Sequence, residues 1–155
     1  MEILVIVILG GINMLKKYMG FLALSSIVLL SGCNNAVDSK PKYVEKESDI
    51  LDKHGEIENK ERFDQFLKNV QQGKEDTIRI VHYTKEGDAI LHDYEFKNKV
   101  IHVTQDNSHD NYGDTEITKT TCKKIKENKD SGKTSYTLMG CTSPKAIDTE
   151  VLTVE

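Results

Sequence analysis

The chain has no surplus of positive charge, since its 155 residues contain 21 Lys and Arg against 25 Asp and Glu. A protein that binds nucleic acid in general needs a basic face that displaces counterions from the phosphates. The net charge of -4 therefore argues against a general nucleic-acid binder. The length allows one ordinary domain and leaves little room for two.

The motifs of several enzyme and cofactor classes are also absent. The sequence contains no Gly-x-Ser-x-Gly turn, no Gly-rich phosphate loop, no His-x-x-x-His pair and no Cys-x-x-Cys pair. These spacings are typical of acyl hydrolases, nucleotide-binding proteins, zinc sites and redox thiols. We therefore expect no cofactor, and a binding module is a better interpretation than an enzyme.

Long apolar runs are missing as well, although apolar residues are concentrated in residues 1–30. Lys16 and Lys17 separate two runs there, residues 3–9 and 19–30. Each run is well short of the roughly 20 apolar residues that a membrane-spanning helix needs. A lysine pair followed by a short apolar run and small residues is typical of a secretory signal peptide.

The second apolar run ends in Leu30-Ser31-Gly32-Cys33. This motif resembles the lipobox of bacterial lipoproteins, in which the cysteine receives a diacylglycerol and becomes the first residue after cleavage. We therefore predict a signal peptide over residues 1–32, and an anchor at Cys33 on the outer face of the cell membrane. The alternative is a plain signal anchor with an incidental cysteine.

Residues 1–13 place an apolar run ahead of the lysines, where a signal peptide has its charged start. Met14 would be a normal beginning. The codons of Gly10 and Gly11 can contain GGAGG, the core of a bacterial ribosome-binding site, at a suitable distance from Met14. We therefore expect translation to start at Met14, with Met1 as the alternative.

Residues 33–48 are polar and charged, include Pro41, and predict a flexible tether. A single α+β domain is expected over residues 49–155. Its clearest element is a helix over residues 60–72, because four apolar residues recur at i, i+3, i+4 and i+7. These residues are Phe63, Phe66, Leu67 and Val70. Asn59 is a suitable N-cap and Gly73 a suitable C-terminal stop.

Beyond the helix the pattern predicts strands over residues 77–84, 89–96, 99–104, 116–127 and 134–141, with residues 150–154 as a further edge strand. The fold class is thus α+β, with one amphipathic helix packed on an antiparallel meander of about five strands.

Two tight turns set the predicted registers of this meander. A two-residue turn at Glu86-Gly87 would place Tyr83 opposite Ile90 and Val81 opposite His92, while His82 points to the other face. A second turn at Lys97-Asn98 would place Tyr94 opposite Ile101.

Cys122 and Cys141 lie symmetrically about the predicted turn at Ser131-Gly132. In an unbulged hairpin they would be directly opposite, which predicts a disulfide in an oxidising compartment. The alternative is two free thiols. Strict alternation places the apolar residues of this hairpin on the face opposite the cysteines, so we expect the bridge to face solvent. These apolar residues are Ile125, Tyr136 and Leu138.

The most polar stretch, residues 106–114, carries three candidate metal ligands, Asp106, Asp110 and Asp114. The spacing is similar to the start of a calcium-binding EF-hand loop. It departs from that pattern at Asn111, where Gly is required, and at Ile117, where a bidentate Glu belongs. The alternative is an Asx-rich connection that satisfies its own backbone.

Among the five histidines, His92 is a candidate acid or base, with Asp93 beside it in the sequence. Asp93 and Glu95 would share one face of a strand. Acid–base catalysis by two carboxyl groups needs a cleft, and it needs environments that shift the pKa values of the two groups apart. The sequence shows neither. The alternative is ordinary polar residues on strands.

Several short motifs carry a family resemblance. They are His54-Gly55, Arg62-Phe63 with Phe66, Ile78-Arg79-Ile80-Val81, Tyr83-Thr84, Glu86-Gly87-Asp88, His92-Asp93, Asp106-Asn107-Ser108 and the final cysteine pair. Through them the chain from His54 to Cys141 resembles a family of small uncharacterised lipoproteins of Bacillus-type bacteria, catalogued as a domain of unknown function. The resemblance implies a surface-exposed lipoprotein of a Gram-positive bacterium, and it transfers no activity.

The predicted function is a lipid-anchored extracytoplasmic module that binds a surface protein, a wall polymer or a small solute. Its membrane contact would be the diacylglycerol on Cys33. One alternative is a small cell-surface enzyme that acts on wall or peptide substrates through His92, Asp93 or the polar loop. A second is a surface module stabilised by calcium at residues 106–114.

Overall fold

The structure of the protein is a computed structural model that describes residues 42–144 and 147–155. The predicted signal peptide (1–32), the predicted lipidation site Cys33 and the first part of the predicted tether lie outside the described residues. Within the described ranges, no helix is long and apolar enough to cross a membrane.

Strands account for most of the regular structure. In chain order the elements are β1 (Ile50–Lys53), β2 (Glu56–Glu58), α1 (Lys60–Gln71), β3 (Asp76–Tyr83), β4 (Ala89–Lys97), β5 (Val100–Asp106), β6 (Ile117–Cys122), β7 (Lys124–Asp130), β8 (Lys133–Met139) and β9 (Glu150–Val154). They form a six-stranded sheet in the order β2-β1-β3-β4-β5-β6 and a three-stranded sheet in the order β7-β8-β9. The prediction of one meander of about five strands was therefore wrong, because the described residues form two sheets and more strands.

The strands missing from the prediction include β1 and β2, a short hairpin that turns at His54-Gly55. These two residues have φ angles of 60° and 95°, and the Gly55 N–H donates to Asp52 (2.8 Å). β1 then pairs in parallel with β3, Ile50 beside Ile80, and α1 lies in the connection. Both strands are too short to display a clear period of two, which is why the sequence did not reveal them.

The predicted helix is present as α1, which ends one residue earlier than expected. Phe63 and Phe66 are completely buried, and Gly73 has a φ of 70°, the left-handed conformation that suits glycine after a helix. The expected side-chain cap from Asn59 was wrong. Asn59 has a φ of 58°, and its amide donates instead to the carbonyl of Asp49 (3.1 Å), which ties the start of α1 to the residue that precedes β1.

The predicted strand over residues 116–127 is divided at Lys123, where the chain passes from one sheet to the other. β6 pairs with β5 in the six-stranded sheet, whereas β7 pairs with β8 in the three-stranded sheet. The β7–β8 register is symmetric about Ser131-Gly132, as predicted. The predicted tail strand is present as β9, at an edge beside β8.

The main hydrophobic core joins α1 to both sheets. α1 contributes its two phenylalanines, the six-stranded sheet contributes one face, and the three-stranded sheet contributes Tyr136 and Leu138 from β8 with Val151 and Leu152 from β9. Each buried side chain of this size contributes roughly 1.5–3 kcal/mol. The other face of the six-stranded sheet carries a smaller apolar cluster, formed by Leu51, Val81, Ala89 and Leu91.

The β3–β4 hairpin lies one residue away from the predicted register. Tyr83 pairs with Ala89 and not with Ile90, and Val81 pairs with Leu91 and not with His92. Because side chains alternate between the two faces of a strand, a shift of one residue moves each cross-strand neighbour to the other face.

The length of the connecting loop explains this shift. The loop contains residues 85–87, three residues where two were predicted, and the Thr84 N–H donates to the carbonyl of Asp88 across it (2.9 Å). Gly87 closes the loop with a φ of 88°, as in hairpins that combine a turn with a left-handed residue.

The next hairpin also turns later than predicted. Its two-residue turn is Asn98-Lys99, with φ angles of 53° and 64°, which are the signs that a type I′ turn requires. Tyr94 therefore pairs with Val103, and the predicted pairing with Ile101 was wrong.

Candidate functional site

Two histidines lie side by side on the core-facing side of the six-stranded sheet. His92 of β4 pairs with Ile80, and His82 of β3 pairs with Ile90, so both imidazoles project from the same face. Their ring centroids are 4.9 Å apart, with the rings nearly perpendicular. The predicted placement of His82 on the other face was wrong because of the one-residue change in register.

Asp52 orients the first of these rings. The parallel pairing of β1 with β3 sets Asp52 beside His82, and its carboxylate Oδ2 lies 2.9 Å from His82 Nδ1. This hydrogen bond holds the pKa of Asp52 below its ordinary value, against the opposing effect of burial. An ionised carboxylate only accepts, so Nδ1 of His82 donates this hydrogen bond, and Nε2 is the ring nitrogen that is left for a ligand.

The second ring is almost completely buried, with His92 only 4% exposed. Among the described residues neither of its nitrogens has a hydrogen-bond partner of ordinary geometry, and the same holds for Nε2 of His82 and the hydroxyl of Tyr94. The Gln105 side chain nevertheless lies close enough to His92 to oppose the lowering of its pKa. Burial, reinforced by the neighbouring His82, lowers the pKa of His92 to about 4. The imidazole of His92 is therefore neutral at pH 7.

A cavity of about 270 Å³ opens onto both rings. Its lining consists of His82, Ile90, His92, Gln105, Asn107 and Asp148. The Gln105 side chain is held at both ends, since it accepts from the Asp148 N–H (2.9 Å) and donates to Asn107 (3.0 Å). We call this feature the histidine cavity. It offers a ligand two adjacent imidazoles, one of them oriented by a carboxylate.

A second cleft, of about 460 Å³, lies on the opposite face of the same sheet. Its floor includes Arg79 and Asp93, which face each other on β3 and β4. Arg79 donates from Nε and Nη2 to the two carboxylate oxygens of Asp93, over 2.6 and 2.7 Å. This two-point contact raises the pKa of Arg79.

Charged side chains of both signs surround this floor. Lys46 lies in the chain that precedes β1, whereas Glu95 and His102 are opposite each other on β4 and β5. Tyr43 secures the preceding chain, because its hydroxyl donates to Asp49 (2.7 Å) and accepts from Arg79 (3.3 Å). Residues 42–48, which were expected in the tether, thus contact the sheet. We call this feature the charged cleft.

The proposed acid–base pair does not converge. His92 and Asp93 are successive residues of β4, so His92 opens into the histidine cavity while Asp93 lies in the charged cleft. Asp93 and Glu95 do share a face, as predicted, and both line the charged cleft. Because Arg79 pairs with Asp93, Asp93 and Glu95 do not form the opposed pair of carboxyl groups that acid–base catalysis uses.

The three candidate calcium ligands each accept hydrogen bonds from nearby backbone. Asp106 accepts from the N–H of residue 108 (2.8 Å), Asp110 from those of residues 112 and 113 (2.9 and 2.8 Å), and Asp114 from that of residue 116 (3.0 Å). Within residues 42–144 and 147–155, no group of three or more His, Cys, Asp or Glu side chains is arranged to hold a metal ion. The three carboxylates thus accept backbone hydrogen bonds in the way that the side chains of an Asx-rich connection do.

The Cys122–Cys141 disulfide is present. Cys122 is 1% exposed and belongs to the main core, so the expectation of a solvent-facing bridge was wrong. The break at Lys123 separates β6 from β7, and the alternation of β7 therefore does not extend back to Cys122.

Sequence reasoning missed Asp52, Gln105 and Asp148 as parts of the histidine cavity. Asp52 reaches His82 through a parallel pairing between strands that are 30 residues apart at this contact, and no local spacing signals such a pairing. The remaining histidines lie elsewhere: His54 at the β1–β2 turn, His102 in the charged cleft, and His109 with its ring 5.5 Å from that of Tyr43.

Comparison with known proteins gives a match to a protein family. A family model, described as a domain of unknown function (DUF4362), matches residues 47–137. No curated protein and no solved structure matches the chain.

Proposed function

The chain belongs to this DUF4362 family, and we propose that it is a lipid-anchored binding module on the outer face of the cell membrane of a Gram-positive, Bacillus-type bacterium. The Leu30-Ser31-Gly32-Cys33 motif supports the anchor. The Cys122–Cys141 disulfide supports an extracytoplasmic location, because such bonds persist in oxidising compartments.

The charged cleft is the observation that carries the binding role. It lies on the sheet face opposite the main core, and it presents charges of both signs around the Arg79–Asp93 ion pair. Lys46 and Glu95 line the same cleft, and neither forms an ion pair with any residue that the structure describes. A partner with complementary charges would therefore find an unpaired cation and an unpaired anion in one cleft.

A polar peptide segment of another surface protein is the partner that fits best. A segment with a basic side chain would reach Glu95, and an acidic side chain or a carboxylate would reach Lys46. Complementary charges of this kind set the orientation and the association rate of a partner more than the affinity itself. Arg79 and Asp93 already form hydrogen bonds with each other. The pair would therefore position the partner and keep these hydrogen bonds when the partner binds.

The anchor is tested by the intact mass of the native protein, extracted in detergent from its own cells. The expected mass is that of residues 33–155 plus a diacylglycerol and less the two hydrogens of the disulfide. An unlipidated mass that still contains the N-terminal segment would overturn both the anchor and the extracytoplasmic location.

The binding role is tested by placing a photo-reactive amino acid at Thr104, in the charged cleft, and at Lys126, on the exposed side of β7. On intact cells we expect a defined adduct from position 104 and none from position 126. Glu95→Lys should abolish the adduct, whereas the matched change Glu127→Lys on the other sheet should not. Equal adducts from both positions, or adducts that Glu95→Lys leaves unchanged, would refute the assignment of the cleft.

A further inference from the structure

The histidine cavity contains buried nitrogen atoms that the proposed binding role does not use. Among the described residues, Nε2 of His82 and both ring nitrogens of His92 are buried without a hydrogen-bond partner. A buried polar group without a partner costs about 1–3 kcal/mol, so such groups are retained where a ligand or water completes them. Here they lie together and border a cavity that opens to solvent.

The spacing of the two rings matches that of two imidazoles on one metal ion. With Zn–N bonds of about 2.0–2.1 Å and roughly tetrahedral angles, two bound imidazoles have ring centres about 5 Å apart. The His82 and His92 centroids are 4.9 Å apart. The centroid distance is therefore compatible with two rings that bind one ion.

The contact between Asp52 and His82 provides a second, independent indication. Histidines that bind metal commonly donate their other ring N–H to a carboxylate, which fixes the tautomer and makes the ligating nitrogen more basic. Asp52 Oδ2 lies 2.9 Å from Nδ1 of His82, which leaves the buried Nε2 as the ligating atom.

We propose that the histidine cavity binds a divalent transition-metal ion that prefers imidazole ligands, with Zn²⁺ as the representative, through Nε2 of His82 and a ring nitrogen of His92. No third His, Cys, Asp or Glu side chain in residues 42–144 and 147–155 completes the set. Water would fill the remaining coordination positions, and the open zinc sites of enzymes have three protein ligands, one more than this site offers. The affinity is accordingly well below that of a closed four-ligand site.

The test titrates Zn²⁺ into the untagged full chain in detergent, after treatment with a chelator, and follows the heat of binding. We expect one Zn²⁺ per chain. His82→Gln and His92→Gln should each weaken binding at least tenfold, and Asp52→Asn should weaken it by about 10- to 100-fold, the range found for outer-shell partners of metal ligands. His102→Gln, on the opposite face of the sheet, is the matched control and should leave binding unchanged.

A second measurement needs no variant, which matters because His92 is buried and its replacement can impair folding. In ¹H–¹⁵N spectra of the histidine rings, Zn²⁺ should shift the nitrogens of His82 and His92 and leave those of His54, His102 and His109 in place. The absence of any heat and any shift would overturn the proposal. Shifts confined to the other three histidines, or binding that survives both substitutions in folded protein, would overturn it as well.

Discussion

The Cys122–Cys141 disulfide joins the last residue of β6 to the segment that follows β8, across a sequence separation of 19 residues. In the chain-entropy account, closing a loop of this size reduces the freedom of the unfolded chain and stabilises the fold by about 3 kcal/mol. Reduction removes this constraint and no side-chain atoms, so packing around the buried Cys122 remains. We therefore expect reduction to lower the free energy of unfolding by about 3 kcal/mol.

The assay is urea unfolding followed by circular dichroism, with and without a reductant, in a Cys33→Ala background that removes the remaining thiol. The midpoint should fall on reduction, by an amount that corresponds to about 3 kcal/mol. The matched control is the Cys122→Ala, Cys141→Ala double variant, whose midpoint should not respond to reductant. A loss below about 1 kcal/mol on reduction would refute the reasoning, because the hairpin would then constrain the unfolded chain without its bridge.

Three further predictions concern single positions. Tyr94→Phe should leave the free energy of unfolding unchanged or raise it by up to about 2 kcal/mol, because the buried hydroxyl has no partner among the described residues; a loss above 1 kcal/mol in urea unfolding would contradict this. Lys99→Gly should raise the melting temperature through a gain of about 0.5–1 kcal/mol, since Lys99 has a φ of 64°, and a lower melting temperature would argue against it. Asp76 is partly buried, which by itself raises its pKa, but its contacts with Arg62 and Asn69 outweigh this effect and hold the pKa below the ordinary 3.8. Its ionised form therefore stabilises the fold above that pH, and the stabilisation is lost as pH falls through the folded-state pKa. When the free energy of unfolding is measured against pH, the difference between the unchanged protein and Asp76→Asn should become smaller at acid pH. A difference that stays constant with pH would contradict this prediction.

The sequence predicted the elements that depend on local patterns. The helix α1 follows from four apolar residues at helical spacing and from Gly73 at its end. The β7–β8 hairpin and the disulfide follow from residues placed symmetrically about one turn. In each case the signal lies within about 20 residues, and a short-range pattern is sufficient.

The histidine cavity could not be predicted in the same way. The number of residues in the β3–β4 loop decides whether His82 and His92 share a face, and Gly87 is compatible with a loop of two or of three residues. A difference of one residue reverses every face assignment in the hairpin, because the side-chain period of a strand is two.

The sequence by itself thus determined α1, the symmetric hairpin, the edge strand β9 and the pairing of the two cysteines. Only the tertiary structure decided that β1 pairs in parallel with β3, which places Asp52 on His82, and that the chain changes sheet at Lys123, which buries Cys122. The physical reason is that local propensity acts over a few residues, whereas strand partners and registers are chosen by how the whole core packs.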